Sequence, residues 1–135
     1  MSLDITQREH EGITILDLKG RITVGKEASA LRDKTSALLA AGTKDVILNL
    51  AHVDYIDSTG LGALVMCSTT YRRASGQLKL VNLNRRNIEL LVMTKLATVF
   101  DLFTDEQDAV NSFFPDREIK AFDILNFVEQ MKKEG

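Results

Sequence analysis

The chain has no tryptophan, a single cysteine, a single proline and two histidines in 135 residues. One thiol, Cys67, cannot close an internal disulfide, and a lone cysteine fits a reducing compartment, so a cytoplasmic location is expected. No apolar run approaches the ~20 residues that a membrane-crossing helix needs. The first residues lack the charged region and apolar stretch of a secretory leader. Net charge is −2 with both signs scattered, which gives neither nucleic acid nor an anionic membrane surface a basic face to bind.

Catalytic groups are equally scarce. There is no glycine-rich loop followed by Lys-Ser/Thr, no pair of cysteine ligands and no His-Glu-x-x-His, so no cofactor or metal is expected. Asp54 and Asp57 are two carboxylates without companions, a weak cation site. His10 falls in an expected hairpin turn and His52 in an expected loop. A triad of Ser58, His52 and Asp54 or Asp57 can be written from residue types, but the Gly-x-Ser-x-Gly of a nucleophile elbow is missing. Cys67 reads as a small buried apolar residue. The expectation is a protein that is not an enzyme.

What the chain does have is a core. With 44% apolar residues it is long enough for one compact domain and too short to suggest two. Leu3 to Gln7 and Ile13 to Leu18 read as a hairpin with its turn at Glu9 to Gly12. Gly20 to Gly25 has no helical period and reads as an irregular loop. Ala28, Leu31, Thr35, Leu38 and Leu39 mark a helix that begins at Glu27 and ends at Gly42.

A short apolar strand, Val46 to Leu50, and a loop through Ile56 lead to a helix from Ser58 or Thr59 to Ala74, expected to bury Leu61, Leu64, Val65 and Ser68. Leu78 to Leu83 is the next strand, and Asn84 caps a helix carrying Ile88, Leu91, Val92 and Leu96. Val99 to Phe103 is a last strand. Thr104, with Gln107 three residues on, has the pattern of a capping box opening a helix with Ala109, Val110 and Phe113 inward. The order predicts an α/β fold: a mixed four- to five-stranded sheet, antiparallel in its opening hairpin, largely parallel afterwards, and packed with helices.

Past Pro115, Ile119, Phe122, Leu125, Val128 and Met131 recur at every third residue, with Ile124 and Phe127 widening the stripe. This predicts an amphipathic helix over Arg117 to Lys133, docked on the domain or paired with a second copy. Residues 1–114 are thus the expected domain and 115–135 its helical extension.

The residues around Ser58 organise the rest. Asp57, Ser58 and Thr59 can each cap the helix that follows. Gly60 and Gly62 lie in its first turn, where each costs up to ~1 kcal/mol relative to alanine, and their lack of side chains lets a backbone or a ligand approach the hydroxyls. A plain N-cap and an exposed functional hydroxyl both remain open on these residues.

The segment Val53-Asp54-Tyr55-Ile56-Asp57-Ser58-Thr59-Gly60-Leu61-Gly62, after a strand ending Leu48-Asn49-Leu50, resembles the signature of STAS domains, in particular the bacterial anti-sigma factor antagonists. The resemblance runs from about Leu3 to Phe114. It implies a binding module whose unmodified form engages an anti-sigma factor that is also an ATP-dependent serine kinase. Phosphorylation at Ser58, or alternatively Thr59, implies release, and a metal-dependent serine phosphatase implies resetting. Asp57, Gly60, Leu61 and Gly62, with Thr23 and Gly25 of the preceding loop, complete the implied partner surface. Thr23 stands where many antagonists carry aspartate. Two other readings use the same fold: a non-phosphorylated regulatory subunit of a transport or signalling complex, or a sensor holding a small anionic ligand or nucleotide on the amides of Ser58 to Gly60.

Overall fold

Consecutive residues buried along two adjacent strands set the architecture. In a computed structural model describing residues 3–118 and 123–134, Leu16 and Leu48 enter one apolar cluster while their neighbours Ile15 and Ile47 enter another. Successive strand side chains point to opposite faces, so this sheet is covered on both sides. The elements in order are β1 (Leu3–His10), β2 (Ile13–Ile22), α1 (Lys26–Ala40), β3 (Asp45–Ile56) and α2 (Ser58–Arg73), followed by β4 (Gln77–Val81), α3 (Arg85–Met93), β5 (Asp101–Phe103), α4 (Glu106–Asn111) and α5 (Ile124–Glu134). The strands form one sheet in the order β1-β2-β3-β4-β5. The β1–β2 pair is antiparallel and the later pairs are parallel. The expected mixed α/β fold is therefore the one observed.

On one face, Leu18, Leu50 and Leu80 pack with Leu31 of α1, Leu64 of α2 and Leu91 of α3. Each fully buried aliphatic side chain contributes roughly 1.5–3 kcal/mol. The other face is thinner: Ile13, Ile47, Val81 and Phe103 meet Ala109 and Val110 of α4, with Phe113 and Phe114 at the edge. Lys79 is buried in this second layer. Its Nζ donates to Ser112 Oγ at 2.7 Å and lies 4.5 Å from the centre of the Phe113 ring. Burial pulls its pKa below the usual lysine value.

Several boundaries differ from expectation for local reasons. The hairpin turn shrinks to Glu11 and Gly12, both at positive φ, as a two-residue turn between twisted strands requires. β2 runs through Gly20 to Ile22, and β3 through the expected loop to Ile56. Register shifts between Asp17 and Lys19 and between Gly20 and Arg21 break the alternation, so the sequence looks irregular where the strands still pair. The capping box at Thr104 does not form. Asp105 is the cap instead, accepting from the Asp108 amide at 3.1 Å, while Gln107 turns sideways to Glu11 and Asn111. The last strand begins at Asp101 rather than Val99, and α3 ends before Leu96.

Arg117 and Glu118 are not helical. The C-terminal helix begins at Ile124, with Asp123 accepting from the Asn126 amide; Ile119 and Phe122 lie outside the described residues. No α5 residue belongs to either core cluster, and Leu125 is 74% exposed. Ahead of it, Arg117 pairs with Glu11 at 2.9 Å and stacks over Phe114, so the extension departs from the hairpin turn. That turn lies at the start of the parallel strands, the end of the sheet opposite Ile56. Among the described residues no helix is long and apolar enough to cross a membrane.

Candidate functional site

β3 delivers the chain to Asp57, whose extended backbone (φ −90°, ψ −179°) makes it the N-cap of α2. Its Oδ1 accepts from the Gly60 amide at 2.7 Å and its Oδ2 from the Val24 amide at 3.0 Å. Its own amide donates to the Ile22 carbonyl at 3.2 Å. One carboxylate thus caps α2 and clamps the β2–α1 turn beside it. The Gly60 amide first, and then that of Val24, holds the Asp57 carboxyl below the usual carboxylate range.

With Asp57 as the cap, Ser58 and Thr59 become the first two helical residues. Both are exposed, and neither hydroxyl has a hydrogen-bond partner among the described residues. Of the three candidate caps, the aspartate serves the backbone and the hydroxyls are left to solvent.

The two glycines have different reasons to be there. A β-carbon on Gly60 would lie 1.8 Å from the Ile22 carbonyl oxygen, so Gly60 is dictated by the protein's own β2 strand and not by an incoming molecule. Gly62 is exposed with nothing within 4 Å of its β-carbon position, and it is the glycine that leaves the turn open. Leu61 is buried as the helical spacing predicts and does not join the implied partner surface: at 5% exposure it faces the core with Leu64. Thr23 is half-buried, its carbonyl accepting from the Ala28 amide at the start of α1. Gly25 is exposed at φ +95°.

Two contributors were missed from sequence. Val24, 66% exposed, stands beside the Asp57 carboxylate; an apolar residue between Thr23 and Gly25 in a turn was the available signal. The other is α3. Its N-terminus is pinned to the central strand by Asn84 and Asn87, whose amides both donate to the Val53 carbonyl at 3.2 Å. This opens a groove of about 430 Å³ between α3 and the β3–α2 turn, with Tyr55 and Ser58 on one side and Arg86, Leu90 and Met93 on the other. No signal in the sequence marks this tie: that Asn87 is only 1% exposed, and therefore hydrogen-bonded as buried amides are, is visible only in the fold.

The triad is not assembled. His52 lies on β3 and faces a separate depression with Thr6, Asp17 and Lys19, while Asp57 is committed to two amides. Cys67 is buried between α1 and α2 with its Sγ 3.2 Å from Thr35 Oγ1, and burial pushes the thiol pKa up, away from the reactive thiolate.

Comparison with known proteins identifies the family and the fold. The family model described as the STAS domain matches residues 4–109. The chain is 32% identical over 110 residues to the anti-sigma-B factor antagonist of Bacillus subtilis, covering 82% of this chain and 99% of that protein. The fold is that of a candidate anti-sigma factor antagonist from Thermotoga maritima, with a TM-score of 0.74 at 20% identity over 80% of this chain and 92% of that one. It is also that of the Bacillus cell fate determinant SpoIIAA in its phosphorylated form, with a TM-score of 0.63 at 16% identity over 82% and 99%.

Proposed function

Because the chain belongs to the STAS-domain family, among its anti-sigma factor antagonists, we propose that it is a protein-binding module gated by phosphorylation of Ser58. The observation that carries this reading is the division of labour at the turn: Asp57 satisfies the helix end, and the Ser58 hydroxyl is exposed and without a hydrogen bond among the described residues. A phosphoryl group there adds about −1.5 to −2 charge. A helix N-terminus accommodates such charge, so the module keeps its fold. A partner packed on the same turn has to desolvate that charge next to Asp57, and the cost falls on the complex alone. Each ~1.4 kcal/mol of this difference weakens binding tenfold.

In this reading the unmodified form holds an anti-sigma factor with serine kinase activity, which releases the chain after modifying it, and a serine phosphatase restores the first state. Thr59, equally exposed, is the alternative acceptor. The ligand-sensor reading is less well supported, because the Gly60 amide that would hold an anion already donates to Asp57.

The test is intact-mass analysis after incubation with the cognate kinase and ATP, paired with binding measurements. One added phosphate mapped to Ser58, tight kinase binding by Ser58→Ala and loss of binding by Ser58→Asp are the expected results. Equal binding by Ser58→Asp and the unmodified chain would refute charge exclusion.

A further inference from the structure

The groove beside Ser58 has an uneven electrostatic lining. Four titratable side chains face it: Tyr55 from β3, Asp57 from the N-cap of α2, and Arg86 and Glu89 from α3. Asp57 is engaged by the amides of Gly60 and Val24. Glu89 accepts from Arg85 Nε at 3.0 Å, one turn away on α3. Arg86 has no hydrogen bond or ion pair among the described residues. An unengaged guanidinium therefore shares a groove with an unengaged hydroxyl.

We infer that a phosphoryl group on Ser58 is held in cis by Arg86 across this groove, and that the resulting ion pair closes the groove over Leu90 and Met93. This rests on the reading of Ser58 as acceptor and adds a regulatory role for α3, an element outside the signature segment. The planar fork of arginine matches two phosphate oxygens at once, which a lysine ammonium does not. A second anion beside Asp57 is repelled at short range, and Arg86 is the cation placed to offset it. Half-buried Leu90 and the 77% exposed Met93 give the open groove an apolar floor suited to a partner's side chain. Modification then changes the shape offered to the partner as well as its charge. A carboxylate at position 58 is shorter and carries less charge, so Ser58→Asp reproduces this state incompletely.

The test uses the full chain with phosphoserine installed genetically at position 58, in the parent and in the Arg86→Gln and Arg86→Lys variants. The ³¹P resonance is followed as a function of pH. A neighbouring cation favours the dianion, so the second phosphate ionisation is expected ~0.5–1 unit lower in the parent than in Arg86→Gln, with Arg86→Lys between them. The Met93 methyl resonance is expected to shift on phosphorylation in the parent and to stay put in Arg86→Gln. Identical ³¹P titrations in all three proteins would overturn the inference. This comparison needs no kinase, so it is separable from the acceptor reading, which fails if kinase and ATP add no phosphate to the native chain.

Discussion

The Ile22 carbonyl oxygen occupies the space a β-carbon at Gly60 would need, 1.8 Å from its ideal position. Replacing Gly60 with alanine forces β2 away from the start of α2 and is expected to cost about 1–3 kcal/mol or more, the range for overpacking a tight interior. Gly62→Ala, in the same turn with open space around it, is expected to be neutral or to stabilise by up to ~1 kcal/mol. Urea denaturation of the two variants reads the contrast; similar losses in both would show that the close approach does not decide it.

Asp57→Ala removes a cap and a clamp together. A loss of about 1–2 kcal/mol at neutral pH is expected, smaller for Asp57→Asn, whose carbonyl oxygen still accepts from Gly60. The carboxyl is held below its ordinary value of 3.8 by the amides that face it. A folded-state pKa below the unfolded one means that the stabilisation is full above the unfolded value and disappears as pH falls through the folded one. The gap between wild type and Asp57→Ala should therefore narrow in acid, below pH 3.8. A gap that stays constant between pH 7 and the most acid pH at which both fold would contradict this account.

Ser58→Ala and Thr59→Ala remove hydroxyls that bond to nothing among the described residues, so each is expected to change stability by less than ~0.5 kcal/mol. Within the proposed switch, only Ser58→Ala abolishes phosphate incorporation. Melting curves and a radiolabel assay on the same preparations separate structural from functional effects.

Lys79 sits between the sheet and the aromatic edge of the second layer, with its pKa depressed by burial. A lysine whose folded pKa is depressed binds fewer protons folded than unfolded between the two values. This contribution to stability therefore rises with pH through that alkaline window, up to the unfolded value of 10.5. Lys79→Met keeps the stem and removes the charge. It is expected to be within ~1 kcal/mol of wild type at pH 7 and to lose the alkaline gain, whereas Lys79→Ala leaves a cavity costing about 2 kcal/mol or more. Denaturation at pH 7 and pH 10 distinguishes the three proteins.

The strand and helix order was legible because the short apolar runs Ile13 to Leu18 and Val46 to Leu50 read as buried strands, while Ala28, Leu31, Thr35 and Leu38 recur at helical spacing. That Leu16 and Leu48 face one layer and Ile15 and Ile47 the other is visible only in the folded sheet. Legibility failed where pairing continues through irregular backbone. Residues 51–56 read as a loop because β3 itself carries the extra residues of both register shifts, between Asn49 and His52 and between Val53 and Tyr55, and so loses its alternation. At the site, three neighbouring residues had the chemistry of a cap, and only the backbone angles of Asp57 decide which one serves. Gly60 was recognisable as special, but the oxygen that makes it so belongs to Ile22, far away in sequence. The same holds for α3: local sequence does not reveal that Asn84 and Asn87 bond to Val53.

The hairpin turn and Ser58 mark the two poles of the sheet, separated by the length of β3, roughly 30 Å for a bulged strand of this size. An immobilising tether or a fluorescent label placed at the turn would sit a full strand's length from the hydroxyl. The protein can therefore be anchored to a sensor chip by that pole while its other pole stays free to sample binders in solution.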